Sequence, residues 1–319
     1  MVIIMIFRLG YVNGPFSLPF TYCHTLTYTS FKKMKEEDAY KKLESIVKEN
    51  LNNLEKILKF NKKNNITFYR MSPTIVPLAT LDEVKFDYVN QFKEKWKKIG
   101  DYINKNNMRI DLHPNQYCVL NSIDEKIVKN AIKEIEYNYF LFKLMNIKGM
   151  IILHIGSSTN GKEESIKRFK ENFSKLKEEI KKVITLENDD KIYTVSDTLN
   201  LCEELGIPMV LDYHHYLCNK NNEKIKDYIP RIINTWKDKD FNPKMHFSSP
   251  KSKKDFRSHS DFIDYKSFLK FIEILKPFKK NIDIMLECKA KEEALFRLSR
   301  QLKYTSTIKC INTSTFKTK

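Results

Sequence analysis

Short runs of apolar and β-branched residues recur along the chain, and each is followed by a polar loop and a longer stretch with helical spacing. Eight such runs stand out, at residues 6–11, 66–71, 108–112, 149–155, 183–187, 208–212, 243–247 and 282–286. Most of them are almost continuously apolar, which is typical of strands covered on both faces. The pattern therefore predicts eight buried strands.

Amphipathic helices are predicted between these strands. In residues 125–145, Ile127, Ala131, Ile135 and Phe142 recur near a 3.6-residue period, and residues 165–182 form a second helical stretch. Strict alternation of strands and helices predicts a parallel sheet covered by helices. Eight such units favour a closed (β/α)8 barrel of the TIM type over the alternative, a doubly wound open sheet. No glycine-rich phosphate-binding motif follows a strand, and the chain has only 7 glycines.

Two regions depart from this rhythm. Residues 12–31, after the first strand, form a long aromatic loop, and the loops that follow barrel strands usually build the active site. Residues 303–319 are rich in Thr, Ser and Lys, which predicts a frayed tail. We therefore expect the barrel domain to cover residues 1–302.

The composition is that of a globular chain, with 319 residues of which 41% are hydrophobic and 30% charged. No apolar run reaches the roughly 18 residues that a membrane span needs, and the run at residues 1–7 is too short for a signal peptide. The 6 cysteines lack CxxC spacing, which argues against a disulfide scaffold or a zinc ribbon. We expect a monomer in the cytoplasm with no membrane partner.

The net charge of +17, from 57 Lys and Arg against 40 Asp and Glu, is compatible with a polyanionic partner such as nucleic acid. However, only 8 of the 57 cations are arginines, and lysine arrives in runs with asparagine, as in KKNN at residues 62–65. A lysine-coated surface without a specific partner gives the same pattern. Charge alone leaves both interpretations open.

Ionisable side chains fall where six of the predicted strands end: His113, His154, Glu187, Asp212, His246 and Glu287. The carboxyl ends of barrel strands converge on one face, so these side chains are expected to share one pocket. Burying several ionisable side chains in one pocket without cations between them would cost free energy. Mixed imidazole and carboxylate ligands suit zinc or manganese, and we therefore predict a metal centre.

Two further positions are less determined by the pattern. His214 and His215 are adjacent, so only one can readily face the pocket. Strand alternation favours His214, but the strand should have ended by this point, so both remain candidates. His259 lies in a polar loop after the seventh strand and is either a ligand or a solvated histidine.

These residues lie in segments that resemble the UV damage endonucleases. The segments are RLGY (8–11), YR (69–70), HPNQY (113–117), LHIG (153–156), LENDD (186–190), LDYHH (211–215), KMHFSSP (244–250), HSD (259–261) and LECKAKEEAL (286–295). They occur in that family's order and cover about residues 6–300. The resemblance implies a TIM-type barrel related to endonuclease IV. It also implies up to three divalent ions, with manganese expected and zinc or magnesium as alternatives.

The resemblance also implies which residues hold the ions. His113, His154 and Glu187 would hold one ion, and Glu187, Asp212, His246 and Glu287 a second. His215 and His259 would serve a third, which favours His215 over His214. Lys244 matches a lysine that the family places near the metals, so Glu187 and Lys244 are the expected catalytic residues.

Lesion contacts are implied in the same way. Gln116 and Tyr117 match the pair that probes the damaged duplex, and Tyr11 matches a tyrosine at the damage site. One departure affects the first loop, since the family has an asparagine four residues after the RLGY tyrosine, where this chain has Pro15. Asn13, in a shifted loop, is the candidate replacement.

The expected chemistry is phosphodiester hydrolysis, because a carboxylate bridging two ions allows one to activate water and the other to neutralise the leaving oxygen. The resemblance implies a cut in damaged double-stranded DNA immediately 5′ to the UV photoproduct. Two alternatives differ in class. A single-metal sugar isomerase or epimerase would need Glu187, Asp212, His246 and Glu287, but not the other histidines as ligands. A non-catalytic DNA-binding protein would explain the charge but not the buried carboxylates.

Overall fold

The structure, a computed structural model, describes residues 4–319, so residues 1–3 of the first apolar run lie outside the described residues. The strands are β1 (Ile6–Val12), β2 (Phe68–Met71), β3 (Arg109–Leu112), β4 (Ile151–His154), β5 (Ile184–Glu187), β6 (Met209–Asp212), β7 (Lys244–Phe247), β8 (Ile282–Leu286), β9 (Ile308–Cys310) and β10 (Thr315–Thr318). The helices are α1 (Tyr28–Lys32), α2 (Glu36–Lys63), α3 (Tyr88–Gln91), α4 (Lys93–Lys105), α5 (Glu125–Met145), α6 (Lys162–Ser174), α7 (Glu178–Lys181), α8 (Val195–Leu205), α9 (Tyr213–Cys218), α10 (Ile225–Asn234), α11 (Tyr265–Leu275) and α12 (Lys291–Lys303).

The first eight strands close into a ring. Strands β2 to β8 neighbour one another in sequence order, β8 pairs with β1, and β1 pairs in turn with β2. All of these pairings are parallel. The predicted (β/α)8 barrel is therefore confirmed, and the open sheet is excluded.

Each predicted strand overlaps an observed one, and α5 begins and ends where its apolar period predicts. The helix predicted over 165–182 is instead two helices, α6 and α7, joined at Lys175–Lys177, where Lys177 takes an extended backbone. The break turns the chain back towards β5 while Leu176 and Ile180 both stay buried.

Side chains along β1 alternate between the barrel interior and the helix layer, as strand geometry requires. Arg8 points inward and pairs with Asp283 of β8, with 2.6 Å between Nη2 and Oδ2. Tyr11 points outward, and its hydroxyl donates to Asn61 of α2 at 2.6 Å. This alternation decides which residues of each strand can reach the mouth of the barrel.

The prediction that residues 303–319 form a frayed tail is wrong. Residues 308–318 form an antiparallel hairpin, β9 and β10, and β10 pairs with the outer part of β1 in the register Phe7 with Phe316. The Phe316 ring is fully buried and stacks on Phe7 with 5.4 Å between ring centroids. Burial alternates along the segment TFKT, with Phe316 and Thr318 buried on one face, so the polar composition of β10 does not prevent it from packing.

Within residues 4–319, no helix combines the length and the hydropathy that crossing a membrane requires.

Candidate metal centre

Six strands deliver an ionisable side chain to the mouth of the barrel. His154, Glu187 and Asp212 are the last residues of their strands, His113 and Glu287 directly follow theirs, and His246 is the third residue of β7. The strand register sets His154 beside Glu187 and Asp212 beside His246. The predicted convergence of these side chains is what the register produces.

The Glu187 carboxylate lies at the centre of this group and is 1% exposed. Its Oε2 atom lies 3.2 Å from His113 Nε2 and 3.8 Å from His154 Nε2. Its Oε1 atom lies 3.0 Å from His246 Nδ1 and 3.3 Å from His215 Nδ1. Because each oxygen faces a different pair of histidines, Glu187 has the arrangement of a carboxylate that bridges two ions.

Three groups of side chains each bring potential ligand atoms within 4.8 Å of one another: His113 with His154 and Glu187, Glu187 with Asp212 and His215, and Glu187 with His246 and Glu287. Glu187 belongs to all three groups. Two ligand atoms that share an ion about 2.1 Å away stand roughly 3 to 3.6 Å apart at ordinary coordination angles. The separations of 3.0 to 3.8 Å around Glu187 are close to that range.

One buried oxygen tests whether a cation fits. Asp212 Oδ2 accepts no hydrogen bond from any described residue, and His215 Nδ1 and His246 Nδ1 each lie 3.9 Å away from it. A buried carboxylate oxygen without a hydrogen-bond donor is costly, and a cation between it and the imidazoles would satisfy it. The donor set of imidazole nitrogens and carboxylate oxygens fits divalent ions such as zinc or manganese.

The charges of the group favour ion binding. Burial raises the pKa of Glu187, but His246, His154, His113 and His215 outweigh burial and hold it well below its ordinary value. Burial lowers the pKa values of His113 and His154, so their neutral forms, which have a free lone pair, are favoured. An ionised carboxylate among neutral imidazoles is the protonation state that a metal ligand needs.

His215 behaves differently. Burial lowers its pKa, but Asp212 and Glu187 outweigh burial and raise the pKa to about 11. In the absence of ions His215 therefore carries a proton and supplies a positive charge between two carboxylates.

Local geometry separates the adjacent histidines. The strand ends at Asp212, which caps α9 by accepting from the backbone N–H of His215 at 2.7 Å. The first turn of that helix places His215 above Asp212. His214 points elsewhere and is buried, with its Nε2 3.1 Å from the carbonyl oxygen of Arg257.

His259 belongs to none of the three ligand groups found among residues 4–319. It lies beside the centre, because its ring centroid is 6.3 Å from that of His215 and 5.4 Å from that of His214. The structure thus groups His215 with Glu187 and Asp212, and not with His259 as the resemblance implied. The reason is that a loop, held by the bridge between Pro250 and His259, positions this residue, whereas barrel strands and the first turn of α9 position the others.

Arg70 of β2 is a functional candidate that the sequence analysis left without a role. Its guanidinium forms an ion pair with Glu287, and its side chain is 14% exposed. Burial raises the pKa of Glu287, and Arg70, followed by His246, outweighs burial and lowers it. The sequence did contain a signal for this role, because Arg70 lies at an inward-facing position of a strand, among predicted ligands.

Lys244 lies one inward position before His246 on β7 and is fully buried. Its Nζ atom is 3.2 Å from Asp111 Oδ2. Burial lowers the pKa of Lys244 to about 8, with Arg109 and Arg70 acting in the same direction and Asp111 opposing them. The lysine is therefore in the layer of side chains beneath the candidate metal ligands.

The structure corrects the expectation for Tyr11. It is fully buried, packs against Tyr69 and donates its hydroxyl to Asn61. Tyr11 is three positions from the inward-pointing Arg8, so strand alternation turns its side chain to the helix layer and away from the mouth of the barrel. Pro15 is also buried, and Asn13 is half-buried with a left-handed backbone (φ 63°).

Gln116 and Tyr117 lie at the mouth, on the loop after β3. Tyr117 is 76% exposed. Both residues line a cleft of about 760 Å³ that also contacts His154 and His215. The cleft therefore adjoins the candidate metal centre.

Comparisons with known proteins agree with this geometry. The family model described as UV-endonuclease UvdE matches residues 7–318. The UV DNA damage endonuclease of Bacillus cereus (strain G9842) is 41% identical over 311 residues, which cover 97% of this chain and 98% of the relative. That of Bacillus thuringiensis subsp. konkukian (strain 97-27) is 41% identical over 314 residues, with coverages of 98% and 99%.

Solved structures give the same result. The structure described as SacUVDE superposes with a TM-score of 0.84 and 35% identity and covers 93% of this chain and 98% of its own. Endonuclease IV from Thermus thermophilus has a TM-score of 0.54 at 10% identity, with coverages of 91% and 96%, which shows a shared fold alone. On the family match, the curated relatives and the SacUVDE superposition, this chain belongs to the UV damage endonuclease family.

Proposed function

We propose that this protein nicks damaged double-stranded DNA immediately 5′ to UV photoproducts, by metal-dependent phosphodiester hydrolysis that leaves 3′-hydroxyl and 5′-phosphate ends. The observation that supports the proposal most is the position of Glu187, whose two oxygens face two different pairs of histidines. A bridging carboxylate of this kind is typical of centres that cleave phosphodiesters with two or more ions.

The side chains of the centre are proposed to have different roles. His113, His154 and Glu187 would hold one ion; Glu187, His246 and Glu287 a second; and Asp212 and His215, with His259 nearby, a third. Divalent ions bound there, manganese by expectation, would supply Lewis-acid activation of water and neutralise charge on the leaving oxygen. Arg70 holds the Glu287 carboxylate in position. Lys244 contributes a buried charge beneath the centre.

The alternative of a single-metal sugar isomerase is less well supported. Such a site needs one ion held by a few ligands, whereas His113, His154 and His215 all have ring nitrogens within 4 Å of Glu187. We also propose that the protein acts as a monomer in the cytoplasm, where its six free cysteines would stay reduced.

The direct test uses a duplex with one defined UV photoproduct, labelled at the 5′ end of the damaged strand. With manganese present, we expect one cut immediately 5′ to the lesion and a product that a DNA polymerase can extend from its 3′-hydroxyl. Addition of a chelator should stop the reaction. Cutting on the 3′ side, or cutting that persists in chelator, would contradict the proposal.

Lesion recognition is assigned to Tyr117 and Gln116. UV photoproducts share weakened stacking and pairing, so opening the duplex costs least at the damage. The exposed Tyr117 ring, on the rim of the cleft beside His154 and His215, is placed to stack in the gap left by displaced bases. Gln116 would bond to the edges of the unpaired bases opposite.

We expect Tyr117→Ala to weaken binding to a lesion duplex by about 1 to 3 kcal/mol, the range for stacking a base on an aromatic ring. Binding to undamaged duplex, which depends on phosphate contacts, should hardly change. Equilibrium binding to both duplexes checks this, with Tyr304→Ala as the control because Tyr304 is 86% exposed just after α12. Equal losses on the two duplexes would mean that Tyr117 only supports its loop.

Lysines of the loop after β7 are proposed to contact phosphates. Lys251, Lys253 and Lys254 are exposed in the same loop as His259. Replacing all three with glutamine should make log K fall less steeply with log salt, by about 0.9 for each phosphate contact that is lost. Salt titrations of DNA binding measure this slope.

The matched control replaces Lys41, Lys42 and Lys48 with glutamine, because these lysines are exposed on α2. This variant loses the same charge but should keep the parent slope. If the loop variant also keeps that slope, its lysines are only solvated surface charge.

A further inference from the structure

Phe16 is an exposed aromatic side chain in the loop after β1. It is 68% exposed, although most large apolar side chains in this chain are buried. A phenylalanine in this state contributes little to the core, because only a minor part of its apolar surface leaves water on folding. Stability of the barrel therefore does not account for it.

The loop holds Phe16 in a fixed position. The fully buried carboxylate of Glu292 accepts the backbone N–H groups of Phe16 and Ser17, both at 2.7 Å, and the Ser17 hydroxyl at 2.9 Å. The Lys291 ammonium lies 5.6 Å from the centroid of the Phe16 ring and 4.8 Å from that of Tyr22. An exposed ring on an anchored loop loses little conformational freedom when it binds a ligand.

The position of the ring relates it to the metal centre. Phe16 belongs to the loop after β1, and its anchor lies in α12, just after β8 and Glu287. The cleft beneath Tyr117 is lined from the loops after β3, β4, β5 and β6. Phe16 follows β1 and Tyr117 follows β3, two strands further around the closed ring, so the two rings lie at separate places on the rim of the barrel mouth.

We propose that Phe16 is a second base-stacking residue, which packs on a nucleobase of the damaged duplex at a place on the rim of the barrel mouth separate from Tyr117. The inference rests on the proposed function and adds a second contact to it. An aromatic ring with one open face and a lysine against the other is suited to a nucleobase, since any base presents a flat face. Two rings at separate places on the rim would each hold a different nucleobase of the opened duplex. Lys291 is a positioning residue in this arrangement.

The test measures binding of Phe16→Ala and Phe16→Trp to a lesion duplex and to the same duplex undamaged. We expect Phe16→Ala to lose about 5- to 150-fold in lesion affinity and less than about twofold on undamaged DNA. Phe16→Trp should restore lesion affinity, because it keeps a stacking surface. A 2-aminopurine opposite the lesion should be less quenched with Phe16→Ala than with the parent. Phe140→Ala, which removes a half-exposed ring from α5, is the control.

The outcomes separate this inference from the proposed function. If the parent neither prefers nor nicks the lesion duplex, the proposed function fails. If the parent does both and Phe16→Ala matches it, only the stacking role is overturned. Equal losses on damaged and undamaged DNA would also overturn it, as would loss of lesion binding that tryptophan does not restore. In that last case Phe16 fits a different surface, such as a protein partner.

Discussion

Replacing Glu187 with glutamine is expected to abolish nicking, with a loss of more than about 10³-fold, equivalent to about 4 kcal/mol in the barrier. The amide keeps the size of the side chain but removes the charge that the two pairs of histidines face. The barrel should stay folded, because glutamine does not leave a cavity and a buried charge is removed. Single-turnover nicking, the content of bound metal and the melting temperature together measure this.

The size of the loss separates Glu187 from its neighbours. His259→Ala should reduce nicking less, because His259 lies beside the centre but outside the three ligand groups of the described residues. Glu55→Gln is a matched control, since Glu55 is a buried carboxylate on α2 that pairs with Lys59, Lys95 and Lys98. It should keep full activity. If the unsubstituted protein nicks with full activity while it binds at most one ion per chain, the proposed cluster of ions is ruled out.

The barrel was predictable because its signal is repeated. Each strand is an apolar run in a chain that alternates regularly, so an error at one strand end does not change the topology. The convergence of His154, Glu187 and Asp212 followed from the same rule, since parallel strands bring their carboxyl ends to one face.

Other features depend on local geometry that residue types do not specify. Whether His214 or His215 faces the centre depended on where β6 ends, and Asp212 capping α9 fixes that end. Tyr11 matches the family segment, but strand alternation sets it on the face opposite Arg8, so its side chain packs in the helix layer. The polar composition of the tail predicted fraying, although its alternation of buried and half-buried residues suits a strand with one buried face, and β10 lies between β1 and β9.

Arg70 was missed for a related reason. An arginine near the end of a strand is usually a surface residue, and its ion pair with Glu287 joins side chains 217 residues apart. The first loop posed the same difficulty, because the contact between Phe16 and Glu292 joins residues 276 apart. Patterns within a short stretch of sequence cannot identify contacts between residues that are this far apart in the chain.

Divalent ions are expected to stabilise the folded protein strongly. Without ions, the carboxylates of Glu187, Asp212 and Glu287 share the centre with the positive charges of Arg70 and the protonated His215. Manganese that binds the folded state alone should raise the free energy of unfolding by about 2.7 kcal/mol at a concentration 100 times the dissociation constant. Thermal and denaturant unfolding of protein treated with chelator, and then titrated with manganese, measure the gain.

The increase in the free energy of unfolding that manganese produces should become larger as the pH rises from 7 to 9. Asp212 and Glu187 raise the pKa of His215 to about 11, so the ion-free folded protein keeps a proton there that an ion must displace. In the ion-free protein this raised pKa contributes stability that is fully present below the unfolded value of about 6.5 and is lost as the pH approaches 11. Metal affinity should therefore increase by up to about tenfold per pH unit for the proton released. Glu187→Gln should remove most of the stabilisation that manganese produces. If the stabilisation decreases as the pH rises, or is equally large in Glu187→Gln, the ions bind elsewhere.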